Sequence, residues 1–187
     1  MNKLHWSKMN LNYRLGCAVL CGLVASAAIA GPQQDTESAE REFARGDIFA
    51  AMGLWRKAAQ EGYAPAQTRL AEILDKAEED QEAFEWFRKA AEQGYAAGED
   101  GLGQMYAKGE GVKQDIEVAR MYILRAAEKN YVPAVKLMMD SYRSGGLGLA
   151  IDAAKAEEWE AKVMALDQTY KKFQPDIVGK NSKGKTK

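Results

Sequence analysis

The chain has 187 residues, 26 basic and 27 acidic side chains, two cysteines and one histidine. That length supports a packed core without cross-links, and so little Cys and His leaves scant material for a disulfide framework or a zinc site. Charge is unevenly spread. Residues 1–30 carry three cations and no acid and residues 168–187 carry a net five positive charges, so the body between them stands at −9. An acidic body argues against nucleic acid, whose affinity rests on neutralising phosphates with Lys and Arg.

In chain order, residues 1–30 read as a secretory signal peptide. Lys3, Lys8 and Arg14 form a basic n-region, Leu15 to Val24 an apolar h-region, and Ala28-Ile29-Ala30 a small-residue cleavage site. The apolar run is too short to span a bilayer as a permanent helix. Translation starting at Met9 instead of Met1 leaves a tidier signal. Neither Cys17 nor Cys21 has a lipoprotein-type context, so no stable membrane anchor is expected after cleavage. Both cysteines and His5 lie in this segment. A mature chain starting near residue 31 therefore has no thiol and no imidazole, and a periplasmic or secreted location is expected.

The body is internally repetitive, and a missed repeat would mis-assign the whole fold. WRKAAQEGYAPAQ (55–67), FRKAAEQGYAAGE (87–99) and ILRAAEKNYVPAV (123–135) align, with basic residues Lys57, Lys89 and Arg125 in register and Lys162 in a weaker fourth copy. Six residues before each anchor stands Ala51, Ala83, Ala119 or Ala156. Three before it stands Leu54, Trp86, Tyr122 or Trp159, and six after the first three anchors comes Tyr63, Tyr95 or Tyr131.

Each unit reads as two antiparallel helices. Apolar stripes such as Leu102, Met105 and Tyr106 have helical period. Ala66, Gly98 and Ala134 let the paired helix come close. Gly109-Glu110-Gly111 and Gly145-Gly146 end the first helix of a pair, while Gly62, Gly94 and Asn130 end the second, all residues that tolerate positive φ. Asp115 and Asp152 suit N-cap or first-turn positions, and Pro65 and Pro133 suit helix starts. The expected helices are 36–45 with 47–60, 64–76 with 79–92, 97–108 with 115–128, and 132–144 with 152–170. A repeat domain over 36–167 and a disordered Lys-rich tail over 168–187 follow.

KAAEQGYA at 89–96, LGQMYAKGEGV at 102–112, and Asp115 with Ala119 and Tyr122 resemble Sel1-like repeats, relatives of the tetratricopeptide repeat. The resemblance covers roughly 39–165 and is strongest in the two central units. It implies an all-α, right-handed superhelix (a solenoid) of about four hairpins, with a concave groove lined by the first helix of each pair. It also implies a non-catalytic scaffold or adaptor. Some cysteine-rich relatives are linked to β-lactam binding through a disulfide in each repeat, which this chain lacks.

Chemistry-bearing patterns are weak. The only Ser-x-x-Lys, Ser182 with Lys185, lies in the tail. Neighbouring acids such as Glu99 and Asp100 are not a facing glycosidase pair, and Gly145-Gly146-Leu147-Gly148 lacks the lysine and hydroxyl of a phosphate loop. The series Trp55, Trp86, Tyr95, Tyr106, Tyr122, Tyr131, Tyr142 and Trp159 reads as inter-helix core because it keeps the repeat phase. No enzyme activity, cofactor or metal is expected. Gln67, Thr68, Glu72, Glu99, Asp100, Gln104, Lys136, Asp140 and Arg143 are the expected exposed groove positions, suited to a basic or amphipathic segment of a protein partner. The chain is expected to be monomeric. The alternative is a binder or weak hydrolase of cell-wall-derived ligands or β-lactams.

Overall fold

The computed structural model describes residues 31–173, with side chains to Asp167. The expected signal peptide and cleavage site, and the part of the tail beyond Phe173, lie outside the described residues. Within them the chain is all helical: α1 Pro32–Ala44, α2 Ile48–Gln60, α3 Ala64–Lys76, α4 Asp80–Glu92, α5 Ala96–Lys108, α6 Ile116–Glu128, α7 Val132–Ser144 and α8 Ala153–Phe173, with a short 3₁₀ turn at Gly146–Gly148. None of these helices is long and apolar enough to cross a membrane. The eight expected helices are all present, with bounds shifted by a few residues. The largest shift is at the start, where α1 begins at Pro32. At the other end, α8 runs to Phe173, three residues past the expected end at 170. No helix breaker occurs before Pro175, whose ring disfavours helix in the residue ahead of it.

The repeated Ala-Ala…Gly-Tyr pattern has a backbone cause. Gly62, Gly94 and Asn130 adopt φ of 87°, 73° and 64°. This turn lets the amides of Tyr63, Tyr95 and Tyr131 donate to the carbonyls of Ala58, Ala90 and Ala126, five residues back, each at 3.1 Å. One tyrosine amide thus closes α2, α4 or α6 by a Schellman bond, and the same residue is the N-cap of α3, α5 or α7. The connection needs almost no loop. At three of the four other turns, Asp47, Asp115 and Asp152 accept a first-turn amide at 2.9, 3.0 and 3.0 Å. These caps are worth roughly 0.5–2 kcal/mol each.

Consecutive helices pack as hairpins and stack on their neighbours. In addition α1 touches α3 and α3 touches α5, whereas no pairing as extensive joins α2, α4 and α6. The first helices of the hairpins therefore form the inner layer and the second helices the outer one. The repeat alanines Ala51, Ala83, Ala119 and Ala156 are buried between the layers. Trp55, Leu70, Leu74, Trp86, Phe87, Leu102 and Met105 form one core cluster across the first three hairpins, while Ile123 of α6 with Val135 and Met138 of α7 forms a second, with Trp159 and Leu166 against it. The anchor cations also acquire a reason. Lys89, Arg125 and Lys162 lie over the rings of Trp86, Tyr122 and Trp159, 4.0 to 5.5 Å from the ring centres. Where Leu54 replaces the ring, Lys57 pairs with Asp35 at 2.8 Å instead.

Close approach of α5 to α4 depends on Gly98. A Cβ there would meet the Ala90 Cβ at 2.5 Å and Ala90 and Ala91 backbone at 3.1 Å. Helical backbone cannot yield as a flexible side chain can. Gly98→Ala is expected to cost about 1–3 kcal/mol by overpacking, read as a lower urea midpoint with unchanged slope.

Candidate functional site

Four positions of the 13-residue inner helix organise the candidate site. Successive residues are turned by 100°, so positions 4 and 5 face different surroundings. Position 4 is Asp35, Gln67, Glu99 and Val135; position 5 is Thr36, Thr68, Asp100 and Lys136; position 9 is Glu40, Glu72, Gln104 and Asp140; position 12 includes Asp75 and Arg143.

Position 4 points toward the outer layer and is a polar seam. Glu99, 0 % exposed, lies 2.7 Å from both Arg125 and Lys129. Lys129 also donates to the Gly94 carbonyl at 2.7 Å, at the end of α4. One hairpin earlier, Gln67 donates to the Ala59 carbonyl and accepts from Gln93; in the first hairpin Asp35 takes Lys57. The bond to Asp35 raises the pKa of Lys57. In the last hairpin Val135 stands at position 4, in the core, and Leu166, at the place of Lys129, packs against that core. The seam is therefore structural.

Positions 5 and 9 shape the inner face. Two adjoining cavities share Glu72, Ala97 and Tyr131. One, about 300 Å³, reaches from Thr36 and Glu40 past Thr68 and Arg69 to Tyr95. The other, about 220 Å³, lies between α3 and α5, with Asp75, Asp100, Gln104, Lys108 and Glu110 on its walls. The cations here are already engaged: Arg69 with Glu40 and Glu72 at 2.8 and 3.0 Å, and Lys108 with Glu110 at 2.9 Å. Burial pushes the Asp100 carboxyl up from its ordinary 3.8 to about 6, opposed by the Gln104 hydrogen bond of 2.8 Å. Burial first, then the carboxylates of Asp100 and Glu72, push the Tyr131 hydroxyl up to about 12; burial raises Tyr95 and Asp75 as well. Both tyrosines are neutral hydroxyls across the physiological range. Among the described residues no group of His, Cys, Asp and Glu is arranged to hold a metal.

These positions correct part of the sequence reading. Four residues expected to be exposed are buried: Gln67 at 3 %, Thr68 at 2 %, Glu99 at 0 % and Asp100 at 4 % exposure. Gln67 and Glu99 occupy position 4 and belong to the seam behind the groove. Thr68 and Asp100, at position 5, are sunk into the groove floor and line its cavities. Glu72 and Gln104 line the cavities too. Lys136 and Asp140 are exposed on α7 outside both cavities, and Arg143 turns to α8, where it meets Glu160 at 2.8 Å. Tyr95 and Tyr131, read as inter-helix core, line the inner face, Tyr95 with 37 % exposure. Glu40, Arg69, Asp75, Lys108 and Glu110 went unassigned. The signal for Glu40 was present, since it shares position 9 with Glu72, Gln104 and Asp140. The tyrosines were marked by their place as N-caps of the inner helices.

The family comparison agrees with this geometry. A model of the Sel1 repeat matches residues 43–63, 64–95 and 96–131. Among solved structures, a Sel1 repeat protein from Oxalobacter formigenes is 25 % identical with TM-score 0.61, over 71 % of this chain and 40 % of its own. A protective antigen present in uropathogenic Escherichia coli strains, displaying a Sel1-like repeat fold, is 29 % identical with TM-score 0.63, over 82 % and 33 %. A Sel1 repeat protein from Klebsiella pneumoniae subsp. pneumoniae is 25 % identical with TM-score 0.62, over 76 % and 72 %. The chain thus spans well under half the length of the first two. No curated protein matches. Two matched repeats coincide with the α3–α4 and α5–α6 hairpins and a third with α2; on an all-α repeat superhelix shared with these structures, they place the chain in the Sel1-like repeat family.

Proposed function

We propose that the chain is an adaptor, working in the periplasm or after secretion, that holds a basic or amphipathic segment of a protein partner along its inner face. Sel1 repeats in general serve as protein–protein interaction scaffolds. The observation that carries the finer reading is the composition of that face. Five carboxylates (Glu40, Glu72, Asp75, Asp100 and Glu110) line the two cavities against Arg69 and Lys108, both already engaged by acids. Tyr95 and Tyr131 supply amphipathic rings beside them, a residue type enriched at interfaces. The location rests on the basic, apolar and small-residue pattern of residues 1–30.

Affinity purification from a native envelope fraction, followed by mass spectrometry, tests the reading. A partner retained by wild type and lost by at least tenfold with Glu72→Lys plus Gln104→Lys is expected. Equal retention by that variant rules out the inner face. In parallel, muropeptides and β-lactams are expected to leave the melting temperature unchanged. A ligand at a hundred times its Kd would add about 2.7 kcal/mol, so a clear rise with either favours a cell-wall ligand instead.

A further inference from the structure

We propose that the smaller cavity, between α3 and α5, is an anchoring pocket that takes one basic side chain of the bound segment, arginine in preference to lysine. The inference rests on the adaptor reading above and names the chemistry that the face selects. Asp100 forms part of the pocket wall and is 96 % removed from solvent. Its Oδ2 accepts from Gln104 at 2.8 Å, but its Oδ1 receives no hydrogen bond from the protein. Among the described residues no cation pairs with it. The contrast with position 4 is direct: there the buried Asp35 and Glu99 each hold their own Lys or Arg within 2.8 Å.

The groups facing Asp100 leave the pocket short of positive charge. Glu72 and Asp75 come from α3, Gln104 and Lys108 from α5, Glu110 from the following loop and Tyr131 from the start of α7. Lys108 is committed to Glu110. A carboxylate kept from water without a partner is costly, and its raised pKa reflects that cost. A cation supplied from outside offsets it. At about 220 Å³ the cavity is smaller than the clefts that enclose whole drug-sized ligands, so it suits one side chain. Several acceptors (Asp100 Oδ1, the Glu72 and Asp75 carboxylates, the Gln104 carbonyl oxygen) suit the five donors of a guanidinium, which also sheds water more readily than an ammonium.

The probe is the pentapeptide acetyl-Gly-Ala-Arg-Ala-Gly-amide, titrated to about 10 mM against isotope-labelled protein, a range that detects weak millimolar binding. Its lysine and citrulline counterparts run alongside. Saturable NMR shifts centred on Asp100, Gln104 and Tyr131 are expected for arginine, weaker ones for lysine, and at least tenfold weaker binding for citrulline, which keeps the shape and loses the charge. Asp100→Asn should abolish the preference for arginine over citrulline while melting no lower than wild type. Absent shifts, equal binding of arginine and citrulline peptides, or an unchanged preference in Asp100→Asn would each overturn the pocket. In the envelope purification, a partner kept by Asp100→Asn but lost by Glu72→Lys plus Gln104→Lys overturns the anchor and leaves the adaptor reading standing. A partner kept by both variants overturns both.

Discussion

Asp100→Asn is expected to stabilise the free protein above pH 6 and to leave it unchanged near pH 3.5. In the folded chain burial holds the Asp100 carboxyl at about 6 against an ordinary 3.8. Between these values the native state keeps a proton that the unfolded chain releases. Stability from this group therefore falls as pH rises through that window, and the full penalty applies above it. The shift corresponds to about 3 kcal/mol. Asparagine keeps the size and can still pair with Gln104, but carries no charge to desolvate. Melting of both proteins from pH 3.5 to 8 should show equal midpoints at the acid end and a gain of several degrees for the variant at pH 8. A variant that melts lower at pH 8 would mean that the carboxylate is already compensated in the free protein. The native residue thus costs stability where the inner face is proposed to bind, a trade-off expected of functional sites.

The second large effect concerns the seam. Lys129→Leu leaves Glu99 fully buried with Arg125 alone, and takes the cation from the Gly94 carbonyl. Losing one of the two charged donors to a fully buried carboxylate costs about 1.5–3 kcal/mol, with Arg125 still 2.7 Å from Glu99. The fourth hairpin shows the repair, because Val135 and Leu166 occupy the positions of Glu99 and Lys129. Adding Glu99→Val to Lys129→Leu should bring stability back to within about 1 kcal/mol of wild type, since well-packed apolar groups replace buried ions without loss. Glu99→Val alone should cost less than Lys129→Leu alone, because Arg125 and Lys129 are about half exposed and can return to water. A double-mutant cycle by urea unfolding measures this. Additive losses would show that the seam contributes through something other than the ion cluster.

How much was readable in advance follows from what repeats. The hairpins were visible because their devices recur at fixed spacing: the Schellman turn that ends in tyrosine, the Asp caps, and the alanine between layers. A repeated residue tells that a position matters but not which way it faces. Gln67 and Thr68 are adjacent in sequence and both polar, yet one belongs to the seam and the other to the groove floor. Only the 100° turn between them, fixed by where the helix starts, separates the two. One clue lay in the degenerate copy, where Val135 and Leu166 together replace the charged pair Glu99 and Lys129. Asp100 offered no such clue. Threonine precedes it twice at position 5 and lysine follows it, so its burial could be read only from the structure.

The central claim is that the inner layer is the binding face, and site-specific photocrosslinking tests it most directly. A benzophenone amino acid would be placed at Gln104, on the inner face, or at Met121, exposed on the outer helix α6. Both proteins would be irradiated in cells that make the native partner. A covalent adduct from Gln104 and none from Met121 is the expected result. An adduct from Met121 with none from Gln104 would contradict the account.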